Sequence, residues 1–142
     1  MTDSETGYIF FGTDTSPGKI IIVDGDAGEL TKVDTIELRR GEDRLKASSI
    51  DTSNHKAFFF TYTAPINGVE IDTVNLTISD RVRFRRGEDY AISATMDSVN
   101  GRTYVGTQSP LGVNNDYIVI LDNSKPGGTG RPGLPLCNGE GP

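Results

Sequence analysis

The chain has 142 residues, 35% of them hydrophobic, enough for one modest domain with a single buried core. Its formal net charge of −6 would repel a phosphate backbone or an anionic membrane surface, which argues against nucleic acid as a partner. No apolar run nears the roughly 20 residues that a bilayer crossing needs, so no membrane insertion is expected. Met1 to Gly7 lacks the basic and apolar parts of a secretory leader, and the lone cysteine, Cys137, excludes an internal disulfide framework.

From the N-terminus onward, short strand-like segments alternate with turn formers. Tyr8 to Phe11 is aromatic and β-branched, and Lys19 to Asp24 is apolar and closes on an aspartate, with Ser16-Pro17-Gly18 turning between them. Leu45 to Ile50 is small and alternating. Ala57 to Phe60 is aromatic, and Val69 to Asp72 again ends in aspartate after the turn Ala64-Pro65-Ile66-Asn67-Gly68. Arg81 to Phe84 alternates charged with apolar, so period two puts the arginines on one face and Val82 and Phe84 on the other. Tyr90 to Met96, Thr103 to Val105 and Tyr117 to Asp122 then repeat the small, aromatic and apolar series. No segment sustains a helical period, and the expected class is all-β.

These segments belong to an internal repeat. Arg39-Arg40-Gly41-Glu42-Asp43 returns as Arg85-Arg86-Gly87-Glu88-Asp89, a spacing of 46 from Arg40 to Arg86. Ile50-Asp51-Thr52-Ser53-Asn54 returns as Met96-Asp97-Ser98-Val99-Asn100, and Thr2-Asp3-Ser4-Glu5-Thr6-Gly7 aligns with the same stretch. Four-stranded units of about 40–50 residues have the size of a β-propeller blade. Residue size supplies the strand order. Ala47, Ser48, Ser49, Ser93, Ala94 and Thr95 suit the crowded innermost strands, and Phe58 to Phe60, Ile20 to Ile22 and Ile118 to Ile120 suit the faces where blades meet. The expectation is about three four-stranded antiparallel blades over residues 1–123, with boundaries near 44 and 90. They are read as incomplete at both ends, with Met1-Thr2 in the innermost strand of the first blade and the third blade ending at about Asp122. Residues 124–142, with four prolines and six glycines after Lys125, read as a flexible Gly/Pro-rich tail without strands.

Asn100-Gly101-Arg102-Thr103-Tyr104-Val105-Gly106-Thr107, followed by Tyr117-Ile118-Val119-Ile120-Leu121-Asp122-Asn123, resembles the YVTN-type β-propeller repeat. In that family an Asp/Asn-Gly turn precedes a Tyr-Val strand, and a Val-Ile-Asp strand follows. The resemblance implies company among secreted or cell-surface proteins. The absence of tryptophan argues against the WD-repeat type.

In a propeller, the connections between blades lie on the same face as the loops between second and third strands. That places Arg39, Arg40, Glu42, Asp43, Arg85, Arg86, Glu88 and Asp89 on one surface with Asp14, Asn67, Asn114 and Asn115. One reading is a partner-binding face built on a rigid scaffold. The other is a tight turn permitted by Gly41 and Gly87, with the charges in inter-blade ion pairs, and repetition favours it. Asp24, Asp26 and Glu29 lie close enough in sequence for a hard cation such as Ca²⁺ but lack the spacing of an EF-hand, and a turn is the better reading. His55, the single histidine, occupies a turn position that is glycine in the other repeats. Ser48 and Ser49 lack a nucleophile elbow, Cys137 lacks an activating neighbour, and the sequon Asn75-Leu76-Thr77 carries no weight.

The functional expectation is a binding or scaffolding module without catalysis of its own and without a cofactor, part of a larger or oligomeric propeller. Its partner would be another protein, or further blades from its own chain or from a second copy. The alternative is a fragment of a propeller enzyme whose catalytic residues lie partly in other blades.

Overall fold

The computed structural model describes residues 1–26, 28–108, 116–124 and 133–135. Its eleven strands form three antiparallel sheets in chain order. The first contains β1 (Tyr8–Gly12), β2 (Lys19–Asp24) and β3 (Thr31–Glu37). The second contains β4 (Leu45–Asp51), β5 (Lys56–Thr61), β6 (Asn67–Asp72) and β7 (Thr77–Arg83). The third contains β8 (Ala91–Asp97), β9 (Arg102–Thr107), β10 (Tyr117–Asp122) and β11 (Gly133–Pro135). Each sheet is a meander in which every strand pairs with its neighbour in sequence. Among the described residues no helix is long and apolar enough to cross a membrane.

The registers repeat as closely as the sequence does. Ile9 pairs with Val23 in the first sheet, Ala57 with Ile71 in the second, and Thr103 with Leu121 in the third. Register shifts recur at Leu45/Ala47 and Ala91/Ser93, where the innermost strands bend. Before β1, Thr2 bridges Ile9, the Met1 ammonium donates to the Phe10 carbonyl at 2.9 Å, and the Phe10 amide donates to the Met1 carbonyl at 2.8 Å. Residues 1–3 thus occupy the inner-strand position of the first sheet.

One strand departs from expectation. The third sheet does not stop at β10: β11 pairs with it, Ile118 opposite Leu134 and Val119 opposite Gly133. Glycine and proline are tolerated on an edge strand because the free edge of β10 supplies the pairing partner. The remaining residues after Ser124, Cys137 included, lie outside the described ones.

The core lies between sheets. On one side of the middle sheet, Ala57, Phe59, Val69 and Ile71 cluster with Phe10, Ile20, Ile22 and Leu38 of the first. On the other, Phe58, Phe60, Val82 and Phe84 cluster with Ala91, Val105, Val119 and Leu121 of the third. A strand buried on both faces reads as a continuous apolar run, and Phe58-Phe59-Phe60 is that run. The small-residue strands β4 and β8 lie against one another.

Candidate binding face

The Arg-Arg-Gly-Glu turns enter and leave each blade in the same way. In the first, the Glu42 amide donates to the Arg39 carbonyl at 2.9 Å, and the Arg39 amide donates to Glu42 Oε2 at 2.8 Å. In the second, the Glu88 amide donates to the Arg85 carbonyl at 3.0 Å, and the Arg85 amide donates to Glu88 Oε2 at 2.6 Å. Gly41 and Gly87 sit at φ +94° and +93°, a conformation that disfavours any side chain. The two glutamates are therefore buried caps. Glu42 also holds the next blade: its Oε1 accepts from Arg81 Nε at 2.6 Å, and the Asn67 side-chain amide donates to the Gly41 carbonyl at 3.2 Å.

With the glutamates turned inward, Arg39, Arg40, Arg85 and Arg86 remain exposed, and among the described residues none of their guanidinium groups has an ion-pair partner. Asp43 and Asp89 are half-buried beside them. Asn114 and Asn115 fall outside the described residues.

A second group on this face includes Asp14, which the sequence placed there, with Arg44, Tyr62 and Tyr90, which it did not. The loops after β1 and β5 share a Thr-x-Thr-x-Pro pattern. Thr13 and Thr61 each accept an amide from the first residue of the next strand, Lys19 at 2.9 Å and Asn67 at 2.8 Å. Thr15 and Thr63 each donate to the carbonyl of the loop proline at 2.8 Å. These rigid loops carry Asp14 and Tyr62. Asp14 binds Lys46 Nζ at 2.7 Å and Arg44 Nε at 2.9 Å, hydrogen bonds that lower its pKa. Arg44 lies over the Tyr62 ring at 4.9 Å, and Tyr62 meets Tyr90 with centroids 4.9 Å apart. Tyr62 also donates to Gln108 Oε1 at 3.0 Å. Arg44 and Tyr90 occupy equivalent left-handed positions, φ +54° and +55°, at the entrance to β4 and β8. The signal in the sequence was the Thr-x-Thr-x-Pro spacing itself, from Thr13 to Thr61.

The opposite ends of the blades are built from aspartate turns. Asp97 accepts the amides of Val99 and Asn100 at 3.1 Å and the Asn100 side chain at 2.7 Å, and Asp72 is held in the same way by Val74 and Asn75. The Asn75 side chain is thus engaged by its own turn. In the proposed metal loop, Asp24 Oδ1 accepts the Asp26 amide at 2.9 Å, and Glu29 is exposed. Among the described residues no three acid, imidazole or thiol side chains gather where a metal ion could be held. His55 takes the left-handed conformation, φ +56°, that Gly7 and Gly101 take in the other repeats, with its Nε2 at 3.8 Å from Glu5. It lines an open cleft of about 390 Å³ together with Lys56, Glu70 and Asp72.

These turns give the chain a pH dependence. The side-chain and backbone amides of Asn100 hold Asp97 below its ordinary pKa, and those of Asn75 do the same for Asp72. Burial raises the pKa of Asp3, but hydrogen bonding, with the Glu5 amide donating to Asp3 Oδ1 at 3.0 Å, outweighs it and the net shift is downward. A carboxylate with a lowered folded pKa contributes stability that is present above its unfolded value of about 3.9 and is lost as pH falls through the folded value. The urea midpoint is expected to fall progressively below about pH 5, and Asp72→Asn with Asp97→Asn to flatten that fall. A profile as steep in the double variant as in the wild type would contradict this account.

No protein-family description and no curated protein matches the sequence. Solved structures do match. Hydrazine synthase of Kuenenia stuttgartiensis superposes with a TM-score of 0.67 at 13% identity, over 87% of this chain and 31% of that one. The WD40 repeats of RRP9 superpose with a TM-score of 0.66 at 9% identity, over 87% of this chain and 34% of that one. The β-propeller domain of Cps50 (Swd1) from Myceliophteria thermophila gives 0.63 at 10% identity, over 94% and 37%. The chain spans about a third of the length of these proteins. At such identities the likeness carries the fold alone: an all-β arc of three β-propeller blades. It does not single out the YVTN-type repeat.

Proposed function

We propose that the chain is a non-catalytic binding module that recognises an acidic protein segment on the face formed by its inter-blade turns. One observation carries this reading. In two successive blades the turn glutamates are consumed as buried caps, while Arg39, Arg40, Arg85 and Arg86 face solvent without ion-pair partners among the described residues. On this face the two turn glutamates point inward and the four turn arginines outward, while the exposed Asp14 is engaged by Lys46 and Arg44, on a protein that is acidic as a whole. Guanidinium groups on a rigid scaffold favour carboxylate partners by bidentate pairing. The Tyr62–Tyr90 pair beside them adds apolar contact area of the kind enriched at interfaces. WD40 propellers among the structural neighbours agree with a binding role, and the likeness to hydrazine synthase adds no catalytic residue to this chain.

The test is fluorescence anisotropy with a labelled Glu/Asp-rich peptide and a Gln/Asn-rich control. The acidic peptide is expected to bind preferentially and to weaken with added salt, and Arg40→Glu with Arg86→Glu to reduce affinity roughly 10-fold or more. Equal binding of both peptides, or an unchanged affinity in the variant, would overturn the reading.

A further inference from the structure

Among the described residues, each outer sheet has one face that no other sheet packs against, and these two faces match. In the first sheet, Ile9, Phe11, Ile21 and Val23 stand in the register positions of Ala57, Phe59, Val69 and Ile71 in the second. The second-sheet set is fully covered by Phe10, Ile20 and Ile22 of the first sheet, and Phe59 is 2% exposed. Phe11, its equivalent, is 50% exposed. At the far end, the outer face of the third sheet carries Tyr104 and Ile118, both half-buried, and the buried Ile120 in the register positions of Phe10, Ile20 and Ile22. The arc therefore ends in one face of each kind that meets between its first and second sheets.

We propose that copies of this chain join head to tail, the Tyr104 face of one copy covering the Phe11 face of the next, and that two copies close a six-bladed ring. The contact continues an interface the protein already contains, with Tyr104, Ile118 and Ile120 replacing Phe10, Ile20 and Ile22, and Ile9, Phe11, Ile21 and Val23 replacing Ala57, Phe59, Val69 and Ile71. At each position an aromatic residue replaces an aromatic one and an aliphatic residue an aliphatic one. A heterologous contact of this type builds a closed ring when its rotation closes, and six blades fall within the roughly 4–8 of closed propellers. Closure also removes the two apolar faces from water. The inference rests on blade geometry and is independent of the arginine face.

Light scattering on a sizing column, over a concentration series of the full chain, tests it. A discrete species of twice the chain mass is expected. Phe11→Glu, at an exposed position, and Tyr104→Glu, at a half-buried one, should each raise the dissociation constant roughly 30-fold or more and leave monomers with unchanged circular dichroism. Mixing the two variants distinguishes head-to-tail from face-to-face pairing. The mixed dimer places both substitutions in one contact and keeps the other intact, so dimer should reappear. A wild-type chain that stays monomeric, showing that the open faces take a different partner, would overturn the proposal. So would a polydisperse assembly, or a mixture that remains monomeric.

Discussion

Phe60→Ala is expected to destabilise the chain by about 3–5 kcal/mol, the range for removing a fully buried aromatic. Phe60 is 0% exposed and joins the middle sheet to the third. Its ring lies 6.4 Å from Phe58 in a stacked arrangement and 5.8 Å from Phe84 edge-on. Gly68 opposite it has no side chain to move into the space. With a total stability of about 5–15 kcal/mol typical of a domain, the loss is a large fraction of the whole. Urea unfolding followed by circular dichroism measures it. A change below about 1 kcal/mol would mean that the ring is not a core residue between blades.

Glu42→Ala is expected to cost about 2 kcal/mol, read as a fall in melting temperature on the order of 5–10 °C. The substitution removes the cap on the Arg39 amide and leaves the Arg81 guanidinium, 31% exposed, without the carboxylate 2.6 Å from its Nε. Losing one member of a largely buried pair costs more than the pair contributes, because the remaining charge is still desolvated. Arg81 keeps enough access to water to hold the figure below that of a fully buried pair. Glu42→Gln should fall between, since an amide oxygen still accepts from Arg39. Arg40→Ala, at an exposed position in the same turn, should stay within about 0.5 kcal/mol. Equal losses for Arg40→Ala and Glu42→Ala would contradict the division of this turn into a buried cap and an exposed outer side.

The blade architecture was legible in the sequence because its signals are local and repeated. Period-two alternation marked Val82 and Phe84 as inward-facing, and both are buried. The histidine at a glycine position was visible from the repeat, and φ +56° at His55 shows why glycine stands there elsewhere. What escaped depends on partners distant in sequence. Nothing local distinguishes Glu42 from Arg40, yet one is buried by an arginine 39 residues away and the other is not. Nothing local marks Asp3 as buried, yet it is 0% exposed, as is Thr73 at the end of β6 in the next blade. β11 was invisible to propensity because its residues are poor strand formers that take their pairing from the free edge of β10. Asp14 was placed on the face, but the Asp14–Arg44–Tyr62–Tyr90 series it belongs to was missed for a related reason. Its members sit at equivalent loop positions but differ from blade to blade, so a search for repetition passes over them.

Native-state amide hydrogen exchange tests the blade account most directly. In a propeller arc the middle strands of a blade, paired on both edges and covered on both faces, open only with the whole domain, whereas the outermost strand frays. Amides of Phe58, Phe59 and Phe60 in β5 and of Val69 and Ile71 in β6 are therefore expected to exchange slowest, close to the rate set by global unfolding. Those of the exposed outer strand β3 should exchange much faster. This order holds whether the chain is single or closed into a ring. Protection of β3 equal to that of β5 and β6 would contradict the blade architecture on which the proposed binding face and the proposed ring both rest.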